Sequence, residues 1–163
     1  GTRFGDWEMD TIVGKDGKGA ILTLTERSTN MILMERLPEG KHPEPLAKVV
    51  VRLLFPYRKT IRSITTDNGS EFCAHKLISK GLAPKGAKDP NLVFFADSYC
   101  SWQKGSIENA NKLIRQYIPF STLTDAFIRK IQHKINRRPR KKLNFETPKD
   151  VFFRQINNFA VAG

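Results

Sequence analysis

The order of periodicities along the first 66 residues is what most constrains the fold. Three strand-like runs come in succession: Trp7 to Val13, Ala20 to Thr25, and Asn30 to Arg36. Gly14-Lys15-Asp16-Gly17-Lys18-Gly19 reads as a hairpin connection between the first two. The pattern then turns helical. Leu46, Val49, Val50, Leu53 and Leu54 share one face of a helix spanning Pro43 to Leu54, opened by Pro43 and Pro45 and stopped by Pro56. Ile61 to Thr66 is a fourth strand. A meander of three strands must be antiparallel, and a helical crossover returns the fourth parallel to the first.

The rest of the chain completes an α/β fold, a five-stranded mixed sheet flanked by helices. Glu71 to Ser79 reads as a short helix, and Leu92 to Ala96 as strand five. Between them, Ser79 to Asn91 holds two Gly, two Pro and three Lys and reads as a mobile surface loop. A long helix starts near Gly105 and ends before Pro119. Another spans Thr124 to Asn136, with Thr124 as N-cap, and Arg137-Arg138-Pro139 breaks it. Thr147-Pro148 supplies the N-cap and first position of a short helix from Lys149 to Ile156. At 163 residues this is one domain. Its first strand begins so early that it is expected to be part of a larger protein.

Charge points to a partner. The chain carries 28 Lys and Arg against 16 Asp and Glu, a formal charge of +12. Such an excess favours nucleic acid, because each neutralised phosphate releases condensed counterions. The excess is uneven: residues 129–142 hold eight Lys or Arg and no carboxylate. No apolar run reaches the roughly 20 residues of a membrane span, and no secretory signal opens the chain. Two cysteines, Cys73 and Cys100, make no disulfide framework and suit a reducing cytosol.

Against this basic background three acids have distinctive settings. Asp10 lies inside the first strand, on the face it shares with Glu8 and Ile12. A charge there is costly unless paired or bound to metal. Asp67 follows the fourth strand at its C-terminal end, where open α/β sheets place their sites. Glu108 sits early in the long helix, with Lys112 and Arg115 on its face and Ile107, Ala110, Ile114 and Ile118 opposite. Three carboxylates about 4 Å apart would repel by roughly 4 kcal/mol per pair at an effective dielectric near 20. Magnesium or manganese relieves this, and two such ions suit an in-line phosphoryl displacement. Bland readings stand beside this one. Asp67-Asn68-Gly69 is also a good turn sequence, and Glu108 with Lys112 also suits a surface i,i+4 pair. Glu8 and Glu71 lie near enough to substitute as ligands in an unusual arrangement.

Longer motifs carry a resemblance. Gly5-Asp6-Trp7-Glu8-Met9-Asp10-Thr11-Ile12-Val13-Gly14, Thr66-Asp67-Asn68-Gly69-Ser70-Glu71-Phe72, Ser101-Trp102-Gln103-Lys104-Gly105 and Glu108-Asn109-Ala110-Asn111-Lys112 resemble DDE transposases of insertion sequences. The IS-thirty family is nearest, and retroviral integrase cores are more distant. Asn136-Arg137-Arg138-Pro139-Arg140-Lys141 and Thr147-Pro148 resemble the family's C-terminal block. The resemblance implies an RNase H-like fold and magnesium-dependent DNA cleavage and joining, with water and then a DNA 3′-hydroxyl as nucleophile. Asp10, Asp67 and Glu108 would be the catalytic metal ligands. It further implies DNA as partner, an assembly of at least two copies, and a bacterial cytoplasmic setting at the nucleoid. The family's N-terminal helix-turn-helix region has no counterpart in these residues.

Two features depart from the family. Forty residues separate Asp67 from Glu108, a longer interval than usual, and the excess fits the 79–91 loop. Cys100 stands where the family often has proline. Expected DNA contacts are Gln103, Lys104, Lys112, Arg115, Arg137, Arg138, Arg140 and Lys141. Trp102 suits packing as well as DNA, and Arg137 suits a helix end. His75 near Cys73 lacks the second ligand pair of a zinc site. The alternatives to a transposase core are a DNA-binding remnant without chemistry and a nuclease that cuts without joining.

Overall fold

The computed structural model describes residues 3–13, 19–96, 110–112, 114–115 and 123–163. Three strands form the expected meander: β1 (Asp6–Val13), β2 (Ala20–Glu26) and β3 (Ile32–Leu37). β1–β2 and β2–β3 are antiparallel. Helix α1 (Pro43–Leu54) and a 3-10 turn (Phe55–Thr60) cross over to β4 (Ser63–Thr66), which pairs parallel to β1. After α2 (His75–Leu82), β5 (Val93–Phe95) pairs parallel to β4, giving the sheet order β3-β2-β1-β4-β5. Helices α3 (Asp125–Asn136) and α4 (Pro148–Ala162) follow.

Strand alternation builds two cores. Trp7, Met9, Leu22, Leu24 and Ile64 face α1, α2 and Phe152 of α4. Ile12, Ile21, Ile32 and Met34 face Ala110, Ile114 and the Ile128, Ile131 and Ile135 stripe of α3. With both faces covered, every residue of β2 is buried.

The edge strand β3 is closed by side chains. Asn136 Oδ1 accepts from Ile32 N at 2.9 Å, and its Nδ2 donates to Ile32 O at 2.7 Å. One turn earlier, Gln132 Oε1 accepts from Met34 N at 2.7 Å. Two amides four residues apart thus imitate a neighbouring strand over Ile32 and Met34.

Several boundaries move. A 3-10 turn takes Ser70–Phe72, so the helix expected from Glu71 begins at His75. It continues through Gly81 to Leu82, four residues into the stretch read as loop. Gly81 lets α2 close on α1, since a Cβ there would lie 2.7 Å from Val51 Cγ2. The last helix runs past Ile156 to Ala162 because no breaker follows. Thr124 and Thr147 cap as expected, accepting from Phe127 N at 3.1 Å and Asp150 N at 3.2 Å. Residues of the long helix at 110–112 and 114–115 are helical, and residues 14–18 of the hairpin lie outside the described residues.

Candidate active site

The parallel register directs two of the three acids to one end of the sheet. The last β1–β4 pair is Glu8 with Thr65. Asp10 lies two residues further along β1, and Asp67 follows the last residue of β4. Asp10 is half-buried and Asp67 exposed, at the C-terminal end of β4. Glu108 lies outside the described residues, as do Gln103, Lys104 and Trp102. Among the described residues no three Asp, Glu, His or Cys side chains gather as a metal site.

Asp10 is held from two directions. Its Oδ1 accepts from Thr11 N at 2.8 Å, and its Oδ2 accepts from Asn111 Nδ2 at 2.8 Å. Asn111 is 4% exposed, and its Oδ1 accepts from Thr23 Oγ1 at 3.0 Å. A carboxylate only accepts, so the Asn111 amide must turn its nitrogen to Asp10. This bond ties the helical residues 110–112 directly to β1. Sequence reasoning passes over Asn111 as one polar residue among the charges of that helix.

Asp67 ends its strand in a tight turn. Its Oδ1 accepts from Gly69 N at 3.0 Å, the bond of an Asx-turn. The turn reading of Asp67-Asn68-Gly69 and the site reading are thus compatible. Gly69 has ordinary negative φ, and space is what demands glycine. A Cβ would sit 2.5 Å from Glu71 Oε2 and 2.9 Å from Asp67 Oδ1. Gly69→Ala is expected to displace the Asp67 carboxylate while moving stability by less than about 1 kcal/mol. A crystal structure of the variant and urea denaturation check it.

Glu71 braces that turn. It is 8% exposed; its Oε1 accepts from Thr11 Oγ1 at 2.9 Å and from Lys41 Nζ at 2.6 Å. Burial alone would raise its pKa, but Lys41, a backbone amide and Thr11 outweigh burial and hold it below the ordinary glutamate value. A depressed carboxyl stabilises the fold above its unfolded pKa, and that contribution is lost as pH falls through the folded value. Lys41→Met is expected to cost about 1 kcal/mol at neutral pH, a deficit against the unaltered protein that shrinks as pH falls through the carboxylate range. Denaturation curves between pH 7 and 3 read both.

Glu8 is spent elsewhere. It is fully buried and pairs with Arg27 Nε at 3.0 Å. The His75 ring meets Phe95 edge-on at 5.1 Å, and Cys73 is a free, exposed thiol.

The basic residues divide. Lys112 and Arg115 are exposed on the helical segment that carries Asn111. Arg137, Arg138 and Lys141 are exposed and Arg140 half-buried beyond the C-terminal end of α3. Their neighbour Lys142 donates to Arg27 O at 2.9 Å, on the turn joining β2 to β3. That turn lies where β1 begins, since Trp7 pairs with Glu26, whereas Asp67 closes the opposite end of β4. The structure therefore does not bring the 137–141 group to the carboxylate edge.

A meander extended by two parallel strands, with Asp10 on β1 and Asp67 just past the end of β4, is the arrangement of an RNase H-like domain. The chain superposes on the catalytic core domain of BIV integrase with a TM-score of 0.74 and 18% identity, over 97% of this chain and 99% of that one. No protein-family model matches it. In sequence it is homologous to insertion-sequence transposases. It is 44% identical to the transposase for insertion sequence element IS4351 of Bacteroides fragilis, over 98% of this chain and 48% of that protein. It is 31% identical to the transposase InsI for insertion sequence element IS30A of Escherichia coli (strain K12), over 94% of this chain and 39% of that protein. The chain thus spans less than half the length of these relatives. Among the described residues no helix is long and apolar enough to cross a membrane.

Proposed function

We propose that this chain is the catalytic core of an insertion-sequence transposase, cleaving DNA strands and joining a 3′-hydroxyl to a new phosphodiester. The observation that supports this reading is the parallel β1–β4 register, whose last pair, Glu8 with Thr65, leads toward Asp10 on β1 and Asp67 just after β4. The donor chemistry fits a hard divalent ion. Both residues offer carboxylate oxygens, and Asn111 orients Asp10 without supplying a competing charge. Asp10, Asp67 and Glu108 would hold magnesium or manganese, two ions when DNA is bound. These would supply Lewis-acid stabilisation of the attacking and leaving oxygens.

The chain's own residues do the positioning. Thr11 and Asn111 fix both oxygens of Asp10, while Gly69 and the Glu71–Lys41 pair fix the turn carrying Asp67. Lys112 and Arg115 take phosphates beside the site. Gln103 and Lys104 extend that contact, and the Arg137, Arg138, Arg140 and Lys141 group would meet DNA away from the carboxylate edge. Handling two DNA ends together calls for at least a dimer in the bacterial cytoplasm, at the nucleoid.

The test is a labelled duplex incubated with and without magnesium, and with a supplied 3′-hydroxyl donor. Metal-dependent nicking followed by joined product is expected. Nicking without joining would make the protein a nuclease, and binding without nicking a remnant. Lys112→Ala or Arg115→Ala is expected to reduce the slope of log affinity against log salt by about one. A salt titration of duplex binding checks this.

A further inference from the structure

A second basic site lies at the other end of the sheet. The 3-10 turn Phe55–Thr60 enters β4, and the segment after α2 enters β5. Both therefore sit at the N-terminal ends of parallel strands whose C-terminal ends lead to Asp67 and residue 97. Between them is a concavity of about 600 Å³ lined by Arg58, Lys59, Lys80 and Lys85, over a floor that includes Phe55 and Pro84. No carboxylate is among its described lining residues.

Four arginines elsewhere have carboxylate partners: Arg3 with Asp6, Arg36 with Asp125, Arg52 with Glu35, and Arg154 with Glu146. Four cations around one hollow repel each other with no internal acid to offset them, so an external anion lowers the energy of this surface. One of them is already oriented. The Arg58 guanidinium lies 4.1 Å from the Phe55 ring centroid and donates to Phe55 O at 3.1 Å. Lys80, in the last turn of α2, adds its charge where the helix dipole favours a cation. Cations above an apolar floor match a sugar–phosphate backbone, charged at each phosphate and apolar at each sugar.

We infer that the Arg58–Lys59–Lys80–Lys85 hollow binds the phosphate backbone of duplex DNA, at a segment apart from the one being cut. This rests on the reading of the chain as a DNA-acting core. β4 is four residues long, so the hollow and the carboxylate edge are separated by at least about 13 Å of strand. A protein that transfers strands must hold two duplex segments, and this surface supplies a grip for the second.

The test is a salt titration of duplex binding by the whole chain, without metal, for Lys80→Glu, Lys85→Glu and the double variant. Lys48→Glu, an equal charge change at an exposed position of α1, is the control. Each single variant is expected to lower the salt slope by about one and the double by about two, with roughly tenfold weaker binding at low salt. Metal-dependent nicking of a short duplex at saturating concentration should stay within about twofold. An unchanged slope in the double variant, or an equal change in Lys48→Glu, overturns the inference. So does nicking that falls together with binding, because the hollow would then hold the cut segment. If the unaltered chain nicks no DNA, the proposed chemistry fails, while the binding slopes still judge the hollow.

Discussion

Asp67→Asn is expected to lower metal-dependent DNA cleavage by roughly a thousandfold or more, about 4 kcal/mol of barrier. Duplex binding should change by less than about threefold. The argument rests on what the amide keeps and what it removes. Asp67 Oδ1 accepts from Gly69 N at 3.0 Å, and an amide oxygen accepts the same bond. The side chain keeps its volume and the turn keeps its shape. What disappears is the negative charge that the proposed hard cation would draw on together with Asp10. Glu108→Gln should behave alike if Glu108 is the third ligand. Full cleavage by Asp67→Asn with unaltered binding would remove the carboxylate from the chemistry.

Local features of this fold are legible in the sequence, and distant pairings are not. Thr124 and Thr147 announce themselves as caps because a cap needs only the next three residues. The meander and the crossover follow from period and chain order. Asp10 and Asp67 stand out because a charge in or just after a strand demands a reason. Asn111 is different, since its partner Asp10 is 101 residues away. Lys41 meets Glu71 across 30 residues, and neither lies in a motif that names the other. The Asn136 and Gln132 amides look like ordinary polar positions of a helix until β3 is placed beside them. The basic run at 129–142 reads as one track. The structure spreads it along α3 and past its end, toward the start of β1.

The second large effect is on stability. Phe152→Ala is expected to cost about 3–5 kcal/mol, a large part of the 5–15 kcal/mol typical of a domain. Phe152 is fully buried and meets four rings: Tyr57 at 5.1 Å, Phe153 at 5.4 Å, Phe4 at 5.6 Å and Trp7 at 5.9 Å. The only buried residues of α4 are Pro148 and Phe152, so the helix docks on the sheet through this ring. Removing it opens a cavity against Trp7, at the start of the strand that carries Asp10. Phe152→Leu keeps most of the volume and should cost less than half as much. Urea denaturation measures both, and a loss below about 1 kcal/mol for the alanine variant would mean that α4 is anchored by something else.

The most direct measurement is a crystal of the chain grown with manganese and read by anomalous scattering. The predicted peak lies between Asp10 and Asp67, with Glu108 oxygen completing the protein ligands. Manganese bound to other side chains, or Glu108 directed away from an ion held by the two aspartates, would contradict the account.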